Sequence, residues 1–368
     1  MRDFFGRLRT ETGDPYVLGL VRVCVGAFLF WHALSAAREL SALGYFGDGF
    51  YVPFLDALSG RAPARGVFVT ILALRILLAA MIVVGLAARP ALFASALVGL
   101  YVLLLDRLQF HHNRYTLLVF AFLLSFTRCD QSLSVAATPG PRLESPLWAV
   151  RLMQVQVSLV YLASGGSKLL DRDWREGLVL GDRLMRFGEQ AVARGVPAGF
   201  VHFLQEPQVS SGLAKLAIST ELFLCVALWL RKSRVFALWW GVMFHLTIEL
   251  TSSVEIFTWL MLALYALFVT HDVRARKLFY NPRRMKGVAL GWTVRLLDWF
   301  LRFDVRAWTP DEVQGGHSIV VVRRDGSLAT GVRALAMIAR TVPLFFPLWG
   351  PLALVASFTR KGDLHTAA

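Results

Sequence analysis

Apolar residues gather in eight blocks along the chain, at roughly 16–37, 66–87, 90–106, 113–128, 147–167, 213–230, 234–250 and 254–271. Each approaches the ~20 residues of helix that a bilayer core requires, so the pattern predicts eight membrane-spanning helices. Several blocks are short and carry polar residues, which predicts that one side of each faces protein rather than lipid. Pro53, Pro63, Pro139, Pro141, Pro197 and Pro207 all fall between blocks. The hinge Ala88-Arg89-Pro90 is short enough to make the second and third blocks an antiparallel hairpin. Between blocks, Gly44-Tyr-Phe-Gly-Asp-Gly-Phe-Tyr51 reads as an interfacial or re-entrant element. Segment 178–206 alternates apolar residues with Arg183, Arg186 and Arg194, and predicts one or two helices lying on the outer surface.

Beyond residue 288 the pattern changes. Trp292–Leu301 is amphipathic with basic flanks and suits the inner membrane surface. Ser318–Arg323 is a strand by its β-branching, Arg324-Asp-Gly-Ser327 is a turn, and a helix follows over about 330–341. The apolar run from Pro343 to Pro351 holds three prolines and sits at the interface or on protein rather than spanning. The predicted fold class is therefore an all-α integral membrane bundle of about eight transmembrane helices with a small cytoplasmic α+β C-terminal tail. The expected domains are 1–287 and 288–368.

Composition agrees with this class. Of 368 residues, 56% are hydrophobic and 17% charged, against roughly a quarter charged in soluble domains. Disorder, a fibrous chain and a disulfide-stapled secreted domain are excluded. The net charge of +14 raises the question of nucleic acid. Its placement answers that question, since Lys and Arg gather on alternate loops in the pattern of cytoplasmic segments near anionic lipid. With the N-terminus inside, the inner segments hold Arg89, Arg128, Arg142 and the tight turn Arg231-Lys-Ser-Arg234, and after the eighth block come Arg274, Arg276, Lys277, Arg283, Arg284 and Lys286. The expectation is an integral protein of a bacterial plasma membrane, N-terminus and tail cytoplasmic, with membrane lipids and no nucleic acid as partners. Its first block reads as a retained span rather than a signal peptide. Cys24, Cys129 and Cys225 have no metal-type spacing, so neither a disulfide nor a metal is expected.

With that orientation the polar residues inside the blocks converge on the outer side: His32, Arg75, His111, His112, Asn113, Gln154, Tyr161, Lys168, Glu221, His245 and Glu249. Each is costly in lipid, and as a set they predict an outward-opening polar cavity. The fifth block is the most informative. Arg151, Gln154, Ser158, Tyr161, Gly165 and Lys168 are spaced 3, 4, 3, 4 and 3 residues apart, which is one face of a helix. That stripe should face the bundle interior, and Ser164-Gly165-Gly166-Ser167 allows close approach of a backbone or a flat ligand. At this depth Lys168 is either a base or one half of an ion pair at a helix end, with Asp171 or Asp173 as partner.

Trp148-x-x-Arg151-Leu-x-Gln154, Tyr161, Gly165-Gly-Ser-Lys168-Leu and Trp174-x-x-Gly177 resemble the core of the horizontally transferred transmembrane (HTTM) domain, a family that includes the vitamin K-dependent gamma-carboxylases. Two further blocks agree in spacing: His112-Asn113-Arg-Tyr115 with Ser125-Phe126 and Leu133-Ser134-Val135, and Phe244-His245 with Phe257 and Met261-Leu262. The resemblance covers about residues 15–271. It implies a membrane enzyme in which a buried lysine deprotonates a reduced naphthoquinone. Oxygenation of that quinol gives a strong base, which takes a proton from a carbon acid, and carbon dioxide adds. It implies Lys168, His112 and His245 as catalytic residues. It implies Asn113, Gln154, Tyr161, Gly165, Trp174 and Glu221 around a vitamin K or menaquinol-type cofactor, no metal, and a peptide or small-molecule substrate on the outer side.

The chain departs from the carboxylase in three ways. A one-residue insertion lies between Lys168 and Trp174, the histidine and asparagine at 112 and 113 are in reversed order, and no sizeable soluble domain is present. The substrate therefore does not carry over. The tail resembles the later part of the DCC thiol-disulfide module, but no cysteine follows Cys225, which excludes thiol chemistry there. The alternative function is a non-enzymatic membrane module that binds lipid or quinone or anchors a partner protein. A small-solute transporter ranks below both, because no inverted repeat is visible.

Overall fold

The computed structural model describes residues 11–43, 54, 63–107, 110–137, 144–251, 254, 256–269, 276–308, 317–323 and 326–359. The glycine- and aromatic-rich stretch 44–51, and the turn residues 324 and 325, lie outside them. The chain forms two compact units, 1–271 and 272–368.

The first unit is helical apart from a two-residue pairing of β1 (Thr12–Gly13) with β2 (Ser145–Pro146). In chain order its helices are α1 (Tyr16–Leu43), α2 (Arg65–Val84), α3 (Ala88–Leu105), α4 (His112–Leu124), α5 (Trp148–Leu170), α6 (Arg172–Arg175), α7 (Leu178–Ala193), α8 (Ala198–Gln205), α9 (Pro207–Ala227), α10 (Arg234–Thr251) and α11 (Phe257–Tyr265), which runs on into a 3-10 turn at Ala266–Phe268. A helix stands at each of the eight apolar blocks, but only four of those described are long and apolar enough to cross a membrane: Tyr16–Arg38 within α1, α2, α3 and α9. Four of the eight expected spans meet that measure among the described residues. The other blocks form helices that are shorter or more polar, such as α4 with 13 residues and α11 with 9. Segment 178–206 forms α7 and α8, as its amphipathic pattern predicts.

The α2–α3 hairpin turns three residues earlier than expected, at Gly85–Ala87, and Arg89 and Pro90 lie in the first turn of α3. Proline is tolerated there because its missing N–H has no intrahelical partner anyway. Gly85 ends α2 at φ 83°, its N–H reaching the carbonyls of Met81 and Ile82. A Cβ at Gly85 would stand 2.4 Å from Ser134 Oγ, so both conformation and space require glycine.

Arg22 lies fully buried in α1. Its Nε donates to Cys129 O at 3.1 Å, Nη1 to Val83 O at 3.0 Å and to Ile82 O, and Nη2 to Ser132 O at 3.2 Å and Leu133 O at 2.5 Å. One guanidinium thereby ties α1 to the last turn of α2 and to the segment after α4. Leu133, at φ 52°, adopts the left-handed conformation that aims its carbonyl into this cage.

The second unit has sheet order β4–β3–β5–β6, with β3 Arg276–Tyr280, β4 Phe303–Ala307, β5 Ile319–Val322 and β6 Leu328–Thr330. β3 and β4 are parallel and joined through α12 (Met285–Leu297), and the other pairings are antiparallel. Leu278, Val305 and Val321 share one sheet face, and α12 (through Val294) and α13 (Gly331–Thr341, through Ala334 and Ile338) pack on it. The Pro343–Leu348 turn leads into α14 (Trp349–Phe358), which buries none of its residues. The strand near 318–323 and the helix near 330–341 stand where expected. The expected boundary at 287 moves to 271, because β3 is an inner strand of this sheet and α12 begins at Met285.

Asp298 closes α12 and accepts the Phe303 N–H at 2.7 Å. Burial pushes its carboxyl above the usual carboxylate range, against the opposing backbone hydrogen bonds of Arg302 and Phe303. The folded form holds this proton more tightly than the unfolded chain. Its stabilising share is complete below the unfolded value of about 3.9 and is lost as pH rises through the raised folded value. Amide-exchange protection across residues 285–307 of the full chain should fall over that rise, and Asp298→Asn should flatten the dependence. Arg22→Met should strand several buried carbonyls and cost at least about 3 kcal/mol, read as a lower melting temperature in detergent.

Candidate functional site

The stripe on α5 faces inward. Gln154, Ser158, Tyr161 and Gly165 are buried, whereas Leu152, Val155, Leu159 and Leu162 on the opposite side are 41–49% exposed. This inverts the order of a soluble amphipathic helix and suits a helix with lipid on its apolar face. Each polar group of the stripe has a partner from a different element. Arg151 pairs with Glu11 and donates to Gln154 Oε1 at 2.9 Å. Gln154 Nε2 donates to Leu267 O at 2.7 Å, and Ser158 Oγ accepts from Trp229 Nε1 at 2.7 Å.

Two clusters lie farther along. In the first, the Tyr161 hydroxyl stands 2.7 Å from His245 Nε2 of α10 and 2.5 Å from the Tyr265 hydroxyl of α11, all three residues being buried. Gly241 makes room for it, since a Cβ there would stand 2.0 Å from the Tyr265 hydroxyl. In the second, Lys168 Nζ lies 2.5 Å from Glu221 Oε1 of α9 and 3.0 Å from Ser164 Oγ, and that hydroxyl donates to Glu221 Oε1 at 3.0 Å. Nζ sits 4.9 Å from the Trp174 ring centre, and the Arg183 guanidinium lies 5.3 Å from the same centre. Seven residues separate Tyr161 from Lys168, so the clusters are about 10 Å apart along α5. Lys168 is an ion-paired lysine, but its partner is Glu221 rather than Asp171, which caps α6 by accepting the Asp173 and Trp174 N–H groups.

Among the described residues, buried Glu221 Oε2 and His245 Nδ1 in these clusters have no hydrogen-bond partner, nor has Asn113 Oδ1 on α4. Asn113 is 2% exposed and donates from Nδ2 to Val254 O at 3.0 Å, which ties α4 to the link between α10 and α11. Its neighbour His112 is placed otherwise. It is exposed, and its ring stacks on His111 at 4.6 Å. Because α4 turns its buried face through Asn113, Thr116 and Leu117, position 112 points away from that face. The structure therefore joins Lys168 with Glu221 and His245 with Tyr161, but brings His112 to neither pair. His32 and Arg75 pair with each other instead, at 2.8 Å between α1 and α2. Among the described residues, no three His, Cys, Asp or Glu side chains gather as metal ligands would.

Tyr265 went unread in the sequence, since a lone phenol in an apolar block carries no spacing signal. The nearest available sign was Gly241 in the preceding helix, the small residue that accommodates it. The clearance around Gly241 yields a test. Gly241→Ala should displace Tyr265 and cost about 1–3 kcal/mol by overpacking, whereas Gly166→Ala on α5, with open space around its added methyl, should leave the melting temperature unchanged or raise it.

No solved structure matches this chain. The family model described as the HTTM domain matches residues 11–273, which takes in both clusters, the Arg22 cage and nearly all of the first unit. The chain belongs to the HTTM domain family.

Proposed function

We propose that this protein is a membrane enzyme of the gamma-carboxylase type that works with a lipophilic quinol, in a bacterial plasma membrane with its N-terminus and tail cytoplasmic. One observation carries the reading: a lysine amine hydrogen-bonded to a buried carboxylate and a hydroxyl, two helical turns from a Tyr–His–Tyr chain on the same helix face. The HTTM family, with its link to vitamin K-dependent carboxylases, supports it.

The residues fit a quinol in their hydrogen-bonding needs. Among the described residues, Glu221 Oε2, His245 Nδ1 and Asn113 Oδ1 are buried atoms without a partner, each able to accept a hydroxyl proton. Gly165 keeps α5 close to α9, since a Cβ there would already stand 3.1 Å from Glu221 Cβ. A bound quinol supplies reducing equivalents and ionisable hydroxyls. The chain's own groups supply proton handling. Lys168 Nζ and Glu221 Oε1 stand at hydrogen-bond distance, the geometry for passing a proton between amine and carboxylate. Ser164 holds both members in register, and Trp174 covers the amine. Tyr161, His245 and Tyr265 form a chain of exchangeable protons about two helical turns away, with Gln154 fixing the earlier part of the helix.

A second reading, a non-catalytic module that binds quinone or lipid, draws on the same contact: at 2.5 Å, Glu221 already neutralises Lys168. Turnover separates the two. In proteoliposomes with menaquinol and oxygen, Lys168→Ala should slow quinol consumption at least 100-fold, the scale of a lost acid–base group. Unchanged consumption by the variant overturns the enzymatic reading. Wild-type protein that co-purifies with quinone but does not consume quinol establishes the module.

A further inference from the structure

About 30 Å from Lys168, at the other end of the 23-residue helix α5, a recess opens where the α2–α3 turn meets the end of α4. It has a volume of about 510 Å3 and is lined by Ala87, Arg89, Phe93, Ser125, Phe126 and Asp130, among others. Arg89 spends only Nε, on Ser125 O at 3.2 Å, so both of its Nη groups are without a partner among the described residues. The Asp130 carboxylate likewise accepts no hydrogen bond and forms no ion pair among them. A cation and an anion thus line one recess, each with bonding capacity to spare.

Phe93 and Phe126 supply the aromatic part of the lining. They belong to a ledge of rings, Phe93, Phe122, Phe126 and Trp148, with successive centres 5.6, 5.1 and 5.8 Å apart. All four rings are at least 37% exposed. Trp148, at the end of this ledge, is of a type enriched at the membrane–water boundary. Ala87, in the recess wall, holds φ 46° and ψ 41°, a left-handed conformation that is uncommon outside glycine and recurs at ligand sites.

We propose that this recess binds the headgroup of an amine-bearing phospholipid. The two free Nη groups of Arg89 match two phosphate oxygens. Asp130 takes the primary ammonium, and the acyl chains lie along Phe93, Phe122 and Phe126. A glycerol headgroup offers Asp130 no cation. A choline headgroup offers a cation without N–H donors. The amine is therefore what the carboxylate selects. This site is independent of the Lys168 cluster and of any activity there.

The test uses the full-length protein in nanodiscs containing equal parts phosphatidylethanolamine, phosphatidylglycerol and phosphatidylcholine, released into mild detergent for native mass spectrometry. Wild-type protein should retain phosphatidylethanolamine in preference to the other two. Arg89→Gln should lower retention of all phospholipid about tenfold, the scale of a lost charge-assisted bond. Asp130→Asn should keep retention but bring the ethanolamine-to-glycerol ratio close to one. Equal retention of the three lipids by wild-type protein, no retention at all, or variants that match wild type overturns the proposal. If either variant fails to fold, the headgroup competition in wild-type protein decides alone.

Discussion

Five backbone carbonyls converge on the Arg22 guanidinium, and the fold of the first unit turns on that convergence. Helix ends and irregular segments leave carbonyls without partners, and lipid offers them none. The last turn of α2 and the segment 129–133 would both be in that position. One planar group with five donors answers for both, and in doing so fixes the spacing of α1, α2 and the exit from α4. The left-handed turns at Gly85, Ala87 and Leu133 lie close by in sequence, two of them within the α2–α3 link and the third within the cage. A charge in the middle of an apolar helix is here a structural device.

The same rule, applied to side chains, organises α5. Every polar residue on its inner face has a partner on another element, so α5 cannot rotate or slide without breaking several bonds together. Specificity of arrangement thus comes from polar contacts inside an otherwise apolar bundle, where apolar packing alone discriminates poorly between helix faces. The candidate site is the part of this stripe where the partners are themselves ionisable. Among the described residues two of its buried atoms, Glu221 Oε2 and His245 Nδ1, on two different helices beside that stripe, have no partner, so the ladder of contacts is incomplete at the site.

Sequence periodicity carried much of this. The inward face of α5 could be read from its 3-and-4 spacing, because a polar stripe in an apolar helix has only one low-energy direction. The helices at the eight blocks were legible for the same reason. Other features depend on contacts distant in sequence, which spacing does not encode. Arg22 resembles any arginine in a span until Ile82 and Ser132 are seen around it. His112 and Asn113 are adjacent, and only the direction of the α4 face shows that the amide goes inward and the imidazole outward. Lys168 had aspartates three and five residues away, yet the carboxylate that reaches it lies 53 residues on. β3 and β4 were hidden because Arg276-Lys-Leu-Phe-Tyr280 and Phe303-Asp-Val-Arg-Ala307 are only five residues long and each carries two charged residues.

The α5 stripe also has a bearing on how the chain is made. Gln154 ends on Leu267, 113 residues later, and Lys168 ends on Glu221. At about 5–20 residues per second of synthesis, the first of these contacts waits roughly 6–23 s for its partner to exist. Until residue 221 is made, α5 carries an amide, a phenol and an amine without their partners, and the amide waits longest. It is poorly suited to enter lipid alone, and is better held at the insertion machinery until α9 and then α11 arrive. Biogenesis of this bundle should therefore proceed by delayed, collective release of its central helices, with α5 the last to be committed although it is made near the middle.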